Sequence, residues 1–131
     1  MKVGLDTSVV LRLLLGQPAE QAQRALAFLD ELARRGDQAM VSDMVVAETY
    51  FALQYHYAVP KKEALAALRQ MFADNEIEAQ GVAVDVLATE GLASAKPGFV
   101  DRMILSAYLA SGDSMVTFEK AAGKLKSVRV L

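Results

Sequence analysis

The chain has 131 residues, 53% of them hydrophobic, and its 14 basic and 16 acidic residues give a net charge of −2. Its length fits one domain spanning residues 1–131, with a hydrophobic core of its own. The sequence contains no cysteine and a single histidine, His56. This excludes disulfides, thiolate metal sites, a cysteine nucleophile and any site that needs two histidines.

No apolar stretch approaches the ~20 residues of a membrane span, and no secretory signal is visible, so we expect a cytoplasmic protein without a membrane partner. The acidic balance argues against tight, unaided binding to nucleic acid, because such binding normally requires a basic surface.

Strand-like and helix-like segments alternate along the chain. Short apolar segments predict strands at 2–6, 39–41, 77–79, 115–118 and 127–130. Helical spacing of apolar residues predicts helices at 9–15, 18–36, 42–57, 60–72, 82–95 and 99–112, with a short turn from 119. Thr7 and Ser8 are good candidates to cap the first helix. The alternation favours an α/β fold, with helices covering both faces of a mainly parallel central sheet.

Four acidic residues fall where open α/β sheets bind ligands, near the carboxyl ends of the strands. Asp6 ends the first strand, and Glu119 follows the strand at 115–118. Asp101 lies in the first turn of the helix that begins near 99, and Glu48 lies one to two turns into the helix after the second strand. Asp101 or Glu119 alone is readily explained as a helix cap or a first-turn acid.

Glu48 is harder to explain as a purely structural residue. It interrupts the nearly unbroken apolar stretch 44–53 and, on a helix, shares a face with Met44, Phe51 and Tyr55. We therefore expect its carboxylate to be partly buried, where an unpaired charge is costly.

The four carboxylates could converge at one edge of the sheet, although sequence spacing alone does not show it. Two like charges about 4 Å apart repel by ~4 kcal/mol at an effective dielectric constant of about 20. Such a cluster persists only with protons or a cation, and oxygen ligands suit Mg²⁺ or Mn²⁺.

Four segments resemble, in order, the motifs of PIN-domain nucleases, especially the VapC toxins of bacterial toxin–antitoxin pairs. They are residues 4–15, 41–48, 99–105 and 116–120. The resemblance implies a PIN-like three-layer α/β/α sandwich. It also implies a Mg²⁺- or Mn²⁺-dependent endoribonuclease that cleaves tRNA, rRNA or mRNA with metal-activated water and leaves a 5′-phosphate and a 3′-hydroxyl.

The family's acidic positions, which hold the metal and are catalytic, map onto Asp6, Glu48, Asp101 and Glu119 of this sequence. Ser8 falls where the family often places a supporting hydroxyl. The fourth acid of the family is usually Asp, so Glu119 departs from the pattern by one methylene.

Thr117 is a second position at which the resemblance implies a supporting hydroxyl. We expect RNA to be held by basic residues close in sequence to the acids, namely Arg12, Arg102 and Lys120. The resemblance also implies a homodimer and a VapB-like antitoxin whose C-terminal segment blocks the site. A mean hydropathy of +0.23 agrees with exposed apolar association surfaces.

Two other functions are open. One is a PIN-fold binding module that does not cleave RNA, because Glu119 replaces the usual Asp. The other is a receiver domain of similar length, which fits less well because the first strand lacks the expected paired acids and Glu48 has no role there. A phosphatase motif at residues 6–8 lacks its second Asp.

Overall fold

A computed structural model describes residues 1–131. The chain divides into two units, Met1–Gln80 (unit 1) and Gly81–Leu131 (unit 2). The single domain expected from the length stays a prediction. None of the helices has both the length and the apolar character needed to cross a bilayer.

Unit 1 contains three short parallel strands and four helices. The strands are β1 (Lys2–Gly4), β2 (Gln38–Val41) and β3 (Ile77–Ala79), and they pair in the order β1-β2-β3. The helices are α1 (Thr7–Leu15), α2 (Ala19–Arg35), α3 (Asp43–Tyr55) and α4 (Lys61–Ala73). Val3 lies opposite Ala39, and Met40 lies opposite Glu78. Two helices follow each of the first two strands, as parallel pairing requires.

The ends of α2 follow directly from its sequence. Pro18 precedes the first turn, and Gly36 closes the helix in the left-handed conformation at φ +73°. The amide of Gly36 donates to the carbonyl of Ala33 at 3.1 Å, and that of Asp37 donates to Leu32 at 2.9 Å. This pair of bonds is a Schellman motif, which satisfies carbonyls at the end of the helix.

The core of unit 1 is built from aliphatic side chains of β2 and all four helices. The largest fully buried aliphatic side chains are Val10, Leu32, Val41, Val46, Leu53 and Leu68. α1 packs against α2 and α3, and α3 packs against α4. The first turn of α1 is therefore held close to α3.

Unit 2 contains α5 (Ala83–Leu87), a 3₁₀ turn at Leu92–Ser94, α6 (Phe99–Ser111), β4 (Met115–Thr117), a second 3₁₀ turn at Lys120–Lys124 and β5 (Val128–Val130). β4 and β5 pair in parallel. α5 packs against α6, and Phe99, Met103 and Leu105 are buried. Parallel pairing in both units confirms the predicted α/β class with mainly parallel strands.

The continuous helix predicted over 82–95 is wrong. The chain leaves the helix after Leu87 and resumes a helical turn only at Leu92. Gly91 separates the two pieces at φ +69°, a left-handed conformation that a helix interior does not contain. Apolar residues continue at helical spacing through the break, which explains the error.

Candidate functional site

Asp6 stands at the junction between β1 and α1, where it caps the helix. Its Oδ1 accepts hydrogen bonds from the Ser8 amide at 3.0 Å, the Ser8 hydroxyl at 2.6 Å and the Val9 amide at 3.3 Å. The capping residue is thus Asp6, and not Thr7 or Ser8 as the sequence suggested. The other carboxylate oxygen, Oδ2, accepts from no protein group.

The hydrogen bonds to Asp6 also favour its charged form. The Ser8 hydroxyl, followed by the Val9 amide, lowers the pKa of this carboxyl below its usual value of 3.8, against a smaller opposing effect of burial. A carboxylate with a lowered pKa is fully ionised at neutral pH. Asp6 therefore presents a negative charge and a free oxygen at the surface.

Glu48 lies in the second turn of α3, which begins after the capping Ser42 hydroxyl. Its Oε1 accepts a hydrogen bond from the Thr7 hydroxyl at 2.7 Å. Because Thr7 directly follows Asp6, this bond brings Glu48 beside the segment that carries the first acid. Its second oxygen accepts from no protein group.

The expected partial burial of Glu48 is wrong, since its side chain is exposed. The face that it shares with Met44, Phe51 and Tyr55 is the outer face of α3, where Met44 is 76% and Tyr55 78% exposed. The buried side chains are those of Val46, Thr49, Tyr50 and Leu53. α3 is apolar on almost every side, so its periodicity does not decide which face is inside.

The other two predicted acids lie in unit 2. Asp101 is exposed in the first turn of α6, after Gly98, where an acid complements the helix dipole. Glu119 is exposed and caps the second 3₁₀ turn, its Oε1 accepting from the Ala121 amide at 3.2 Å. The Thr117 hydroxyl accepts from the Glu119 amide at 3.0 Å. Glu119 Oε1 and the Thr117 hydroxyl, the predicted supporting group, therefore both stabilise the start of this turn.

The three predicted RNA-binding cations differ in how they are held. Arg12 donates through Nε to Gln21 Oε1 at 2.6 Å. Arg102 is partly buried and donates through Nε to the carbonyl of Pro97 at 2.7 Å, so it supports the loop before α6. Lys120 is exposed at the start of the second 3₁₀ turn.

The donor atoms decide what the acids could bind. Within unit 1 and within unit 2, no group of three or more His, Asp or Glu side chains is placed to hold a metal ion by itself. Asp6 and Glu48 still fit a hard divalent cation, because both offer carboxylate oxygens and each has one oxygen not used by the protein. Unit 1 thus supplies two candidate ligands, and unit 2 carries the other two predicted acids.

Comparison with protein families identifies the fold. A model of the PIN domain matches residues 3–128, nearly the whole chain. The chain belongs to the PIN domain family. Among curated proteins, the comparison found no match. PIN domains are generally nucleases that typically use divalent metals, and the four predicted acids all lie within the matched residues of this PIN domain.

Unit 1 of this PIN domain also contains a cavity that the sequence motifs do not predict. It lies between α1 and α2, has a volume of about 530 Å³, and is lined by Ser8, Arg12, Gln21, Arg24 and Phe28 among others. A signal was present in the sequence, because positions 21, 24 and 28 follow helical spacing on α2 and share one face. That face carries polar, charged and aromatic side chains, whereas the face at Ala22 is apolar and buried.

Proposed function

We propose that this PIN domain is a Mg²⁺- or Mn²⁺-dependent endoribonuclease that acts in the cytoplasm as the toxin of a toxin–antitoxin pair. The observation that supports it best is the arrangement around Thr7. An ionised Asp6 with a free oxygen and an exposed Glu48 are tied to neighbouring positions of α1 by hydroxyl groups. Family membership supports the nuclease chemistry.

Unit 1 by itself supplies Asp6 and Glu48, and the resemblance of the motifs adds Asp101 and Glu119 as proposed ligands of the cation. When bound, it would supply positive charge that stabilises the phosphate oxygens and makes a nearby water more acidic. The protein's own contribution is to orient the ligands before the cation arrives. Ser8 does so for Asp6, because its 2.6 Å bond to Oδ1 holds the carboxylate and leaves Oδ2 without a protein donor.

Thr7 orients Glu48 in the same way, through its 2.7 Å bond to Oε1. Preorganised carboxylates matter because misplacement of a reacting group by about 1 Å can cost about a hundredfold in rate. Arg12 and Lys120 would hold phosphate groups of the RNA. Arg102 would do so through its terminal nitrogens, because its Nε donates to the carbonyl of Pro97.

The test is cleavage of labelled tRNA and rRNA by purified protein with Mn²⁺, repeated with EDTA and with Asp6→Asn and Asp101→Asn. Asn at position 6 keeps an oxygen that can cap α1, so loss of cleavage would report the lost charge. Asp30→Asn, an exposed position on α2, is the matched control. Cleavage that persists in EDTA or in both site variants would contradict the proposal.

A second candidate is a PIN-fold RNA-binding module with weak or no cleavage. It is favoured by the identity of residue 119, because the resemblance implies Asp at this position and the chain has Glu, whose carboxylate stands one methylene farther from the backbone. Binding of RNA without cleavage at any Mn²⁺ concentration would select it. Restoring the family's usual residue with Glu119→Asp would then be expected to raise cleavage.

The toxin role and its partners rest on the resemblance of the four motifs. We propose a VapB-like antitoxin and a homodimer, and the exposed apolar side chains of Ile104, Tyr108 and Leu109 on α6 support association. Induction in a bacterial host should arrest growth, and Asp6→Asn should abolish the arrest. Growth that continues despite soluble, RNA-cleaving protein would remove the toxin role and leave the nuclease.

A further inference from the structure

The cavity between α1 and α2 differs from the rest of this acidic chain in its charge. The chain carries a net charge of −2, yet two guanidinium groups, Arg12 and Arg24, line this cavity and no carboxylate does. A concave site with two cations and no internal counter-ion attracts an anionic group. Its volume of about 530 Å³ lies in the range of small-ligand sites.

The two arginines are prepared differently for such a ligand. Arg12 is partly buried, and its Nε is fixed by Gln21 Oε1 at 2.6 Å, so its terminal nitrogens are held in place. Arg24 is exposed and has no hydrogen-bonding partner in the protein. The fixed guanidinium of Arg12 suits a phosphate group, because a planar guanidinium can donate two parallel hydrogen bonds to phosphate oxygens.

The cavity continues from the candidate site. Ser8 lines it, and the same hydroxyl donates to Asp6 Oδ1 at 2.6 Å. The cavity therefore begins one hydrogen bond away from Asp6, where the nucleotide next to a phosphodiester bound at Asp6 would lie. Phe28 and Ala25 supply apolar surface there, and bases of single-stranded RNA stack on aromatic rings.

We propose that this cavity is a nucleotide subsite for single-stranded RNA, adjacent to the cleavage position. Arg12 and Arg24 bind the phosphate, and Phe28 contacts the base. The inference rests on the proposed function, because the nuclease proposal is what places RNA at Asp6. It adds three residues, Gln21, Arg24 and Phe28, to those predicted from the motifs.

The test measures binding and not cleavage, so the two proposals fail separately. A short fluorescent single-stranded oligoribonucleotide is titrated in EDTA, at several salt concentrations, with the wild type and with Arg24→Ala. We expect the variant to bind about tenfold more weakly, as for one lost charge-assisted hydrogen bond. The slope of log affinity against log salt should fall by about 0.7, the value for one phosphate contact on a single strand.

Arg34→Ala is the matched control, because it removes the same charge from an exposed position on the same helix, outside the cavity. It should leave both affinity and slope within twofold of the wild type. Equal effects of Arg24→Ala and Arg34→Ala, or a wild type that does not bind the oligonucleotide, would overturn the proposal. A poly-glutamate peptide is the second probe. If Arg24→Ala weakens binding of this peptide but not of the oligoribonucleotide, the proposal is overturned and the cavity is assigned to an acidic protein.

Phe28→Leu tests the base contact separately. It should weaken binding of the oligoribonucleotide but leave binding of an abasic oligonucleotide of the same length unchanged. Circular dichroism spectra and melting curves of each variant check that it is folded. Identical losses on both oligonucleotides would contradict a stacking role for Phe28.

Discussion

At the scale of single residues, Asp6 combines a structural and a chemical task in one carboxylate. Oδ1 closes the first turn of α1, and Oδ2 is left for a ligand. The same bonds that cap the helix lower the pKa of the carboxyl. Folding therefore fixes the orientation of a carboxylate that is already ionised at neutral pH, and mutations at this position change two properties at once.

The lowered pKa of Asp6 predicts how stability depends on pH. Because the folded pKa lies below 3.8, the charged form stabilises the folded state at all pH values above 3.8, and this contribution is lost as pH falls through the folded pKa. The free energy of unfolding of the wild type, minus that of Asp6→Asn, should be constant near neutral pH and shrink below 3.8. Urea titrations across this range measure it.

Asp37 titrates in the same direction, because its bond to the N-terminal amino group, together with Arg35, lowers its pKa. Because Asp37 is present in both the wild type and Asp6→Asn, its contribution cancels when their free energies of unfolding are subtracted. A difference between wild type and Asp6→Asn that does not change with pH would contradict the role assigned to the Asp6 charge.

Thr49 offers a second prediction at this scale. Its side chain is fully buried, and its hydroxyl has no hydrogen-bonding partner. Burying a hydroxyl without a partner costs roughly 1–3 kcal/mol, so Thr49→Val should raise the free energy of unfolding by about 1 kcal/mol. Thr49→Ser keeps the hydroxyl and removes a methyl group, and should instead lower it by about 1 kcal/mol. Chemical denaturation distinguishes the two, and destabilisation by Val would show that the hydroxyl is satisfied.

At the scale of elements, the sequence predicts helices best where both ends carry chemical signals. α2 begins after Pro18 and ends at Gly36, as expected. The 82–95 segment has only its apolar spacing, and its helix ends at Leu87, before the left-handed Gly91. At the start of α1, Asp6, Thr7 and Ser8 are all good capping residues. Only the hydrogen bonds select Asp6, because local propensity does not distinguish three neighbours.

Gly36 gives a prediction for a helix end. An added Cβ would meet no atom within 4 Å, but the residue has φ +73°, so Gly36→Ala carries a purely conformational cost of about 1 kcal/mol. Gly4→Ala is the control, since its added Cβ also meets nothing and its φ lies outside the left-handed region. Thermal melts should show a clear decrease in the free energy of unfolding for Gly36→Ala. For Gly4→Ala, the change should stay within about 0.5 kcal/mol. Equal effects would contradict the Schellman assignment.

At the scale of the whole molecule, the candidate ligands are distributed over both units, and the family match over 3–128 spans both. If a divalent cation binds the folded state, it must stabilise that state by mass action. Mn²⁺ at a hundred times its Kd should add about 2.7 kcal/mol and raise Tm by several degrees. Asp6→Asn should reduce this rise, and Asp30→Asn should not. An unchanged Tm at millimolar Mn²⁺ would argue against the cation site.

The positions of the candidate site residues follow from motifs, but their contacts do not. Sequence order suggested that Asp6 and Glu48 were related, while the bond from Thr7 to Glu48, 41 residues apart, depends on how α1 packs against α3. The same packing reverses the expected burial of Glu48. Arg24 and Phe28 were missed because each is an ordinary surface residue until α1 is placed beside α2.

The amide protons of Ser8 and Val9 have a practical use, because both point at Asp6 Oδ1. In a nitrogen–proton correlation spectrum, their resonances should shift as that oxygen changes its charge, without any substitution or label at the carboxylate. Spectra recorded in acid would then follow protonation of Asp6 directly, and spectra recorded with diamagnetic Mg²⁺ would report whether the cation reaches this side chain. The turn that begins α1 is thus a built-in spectroscopic reporter.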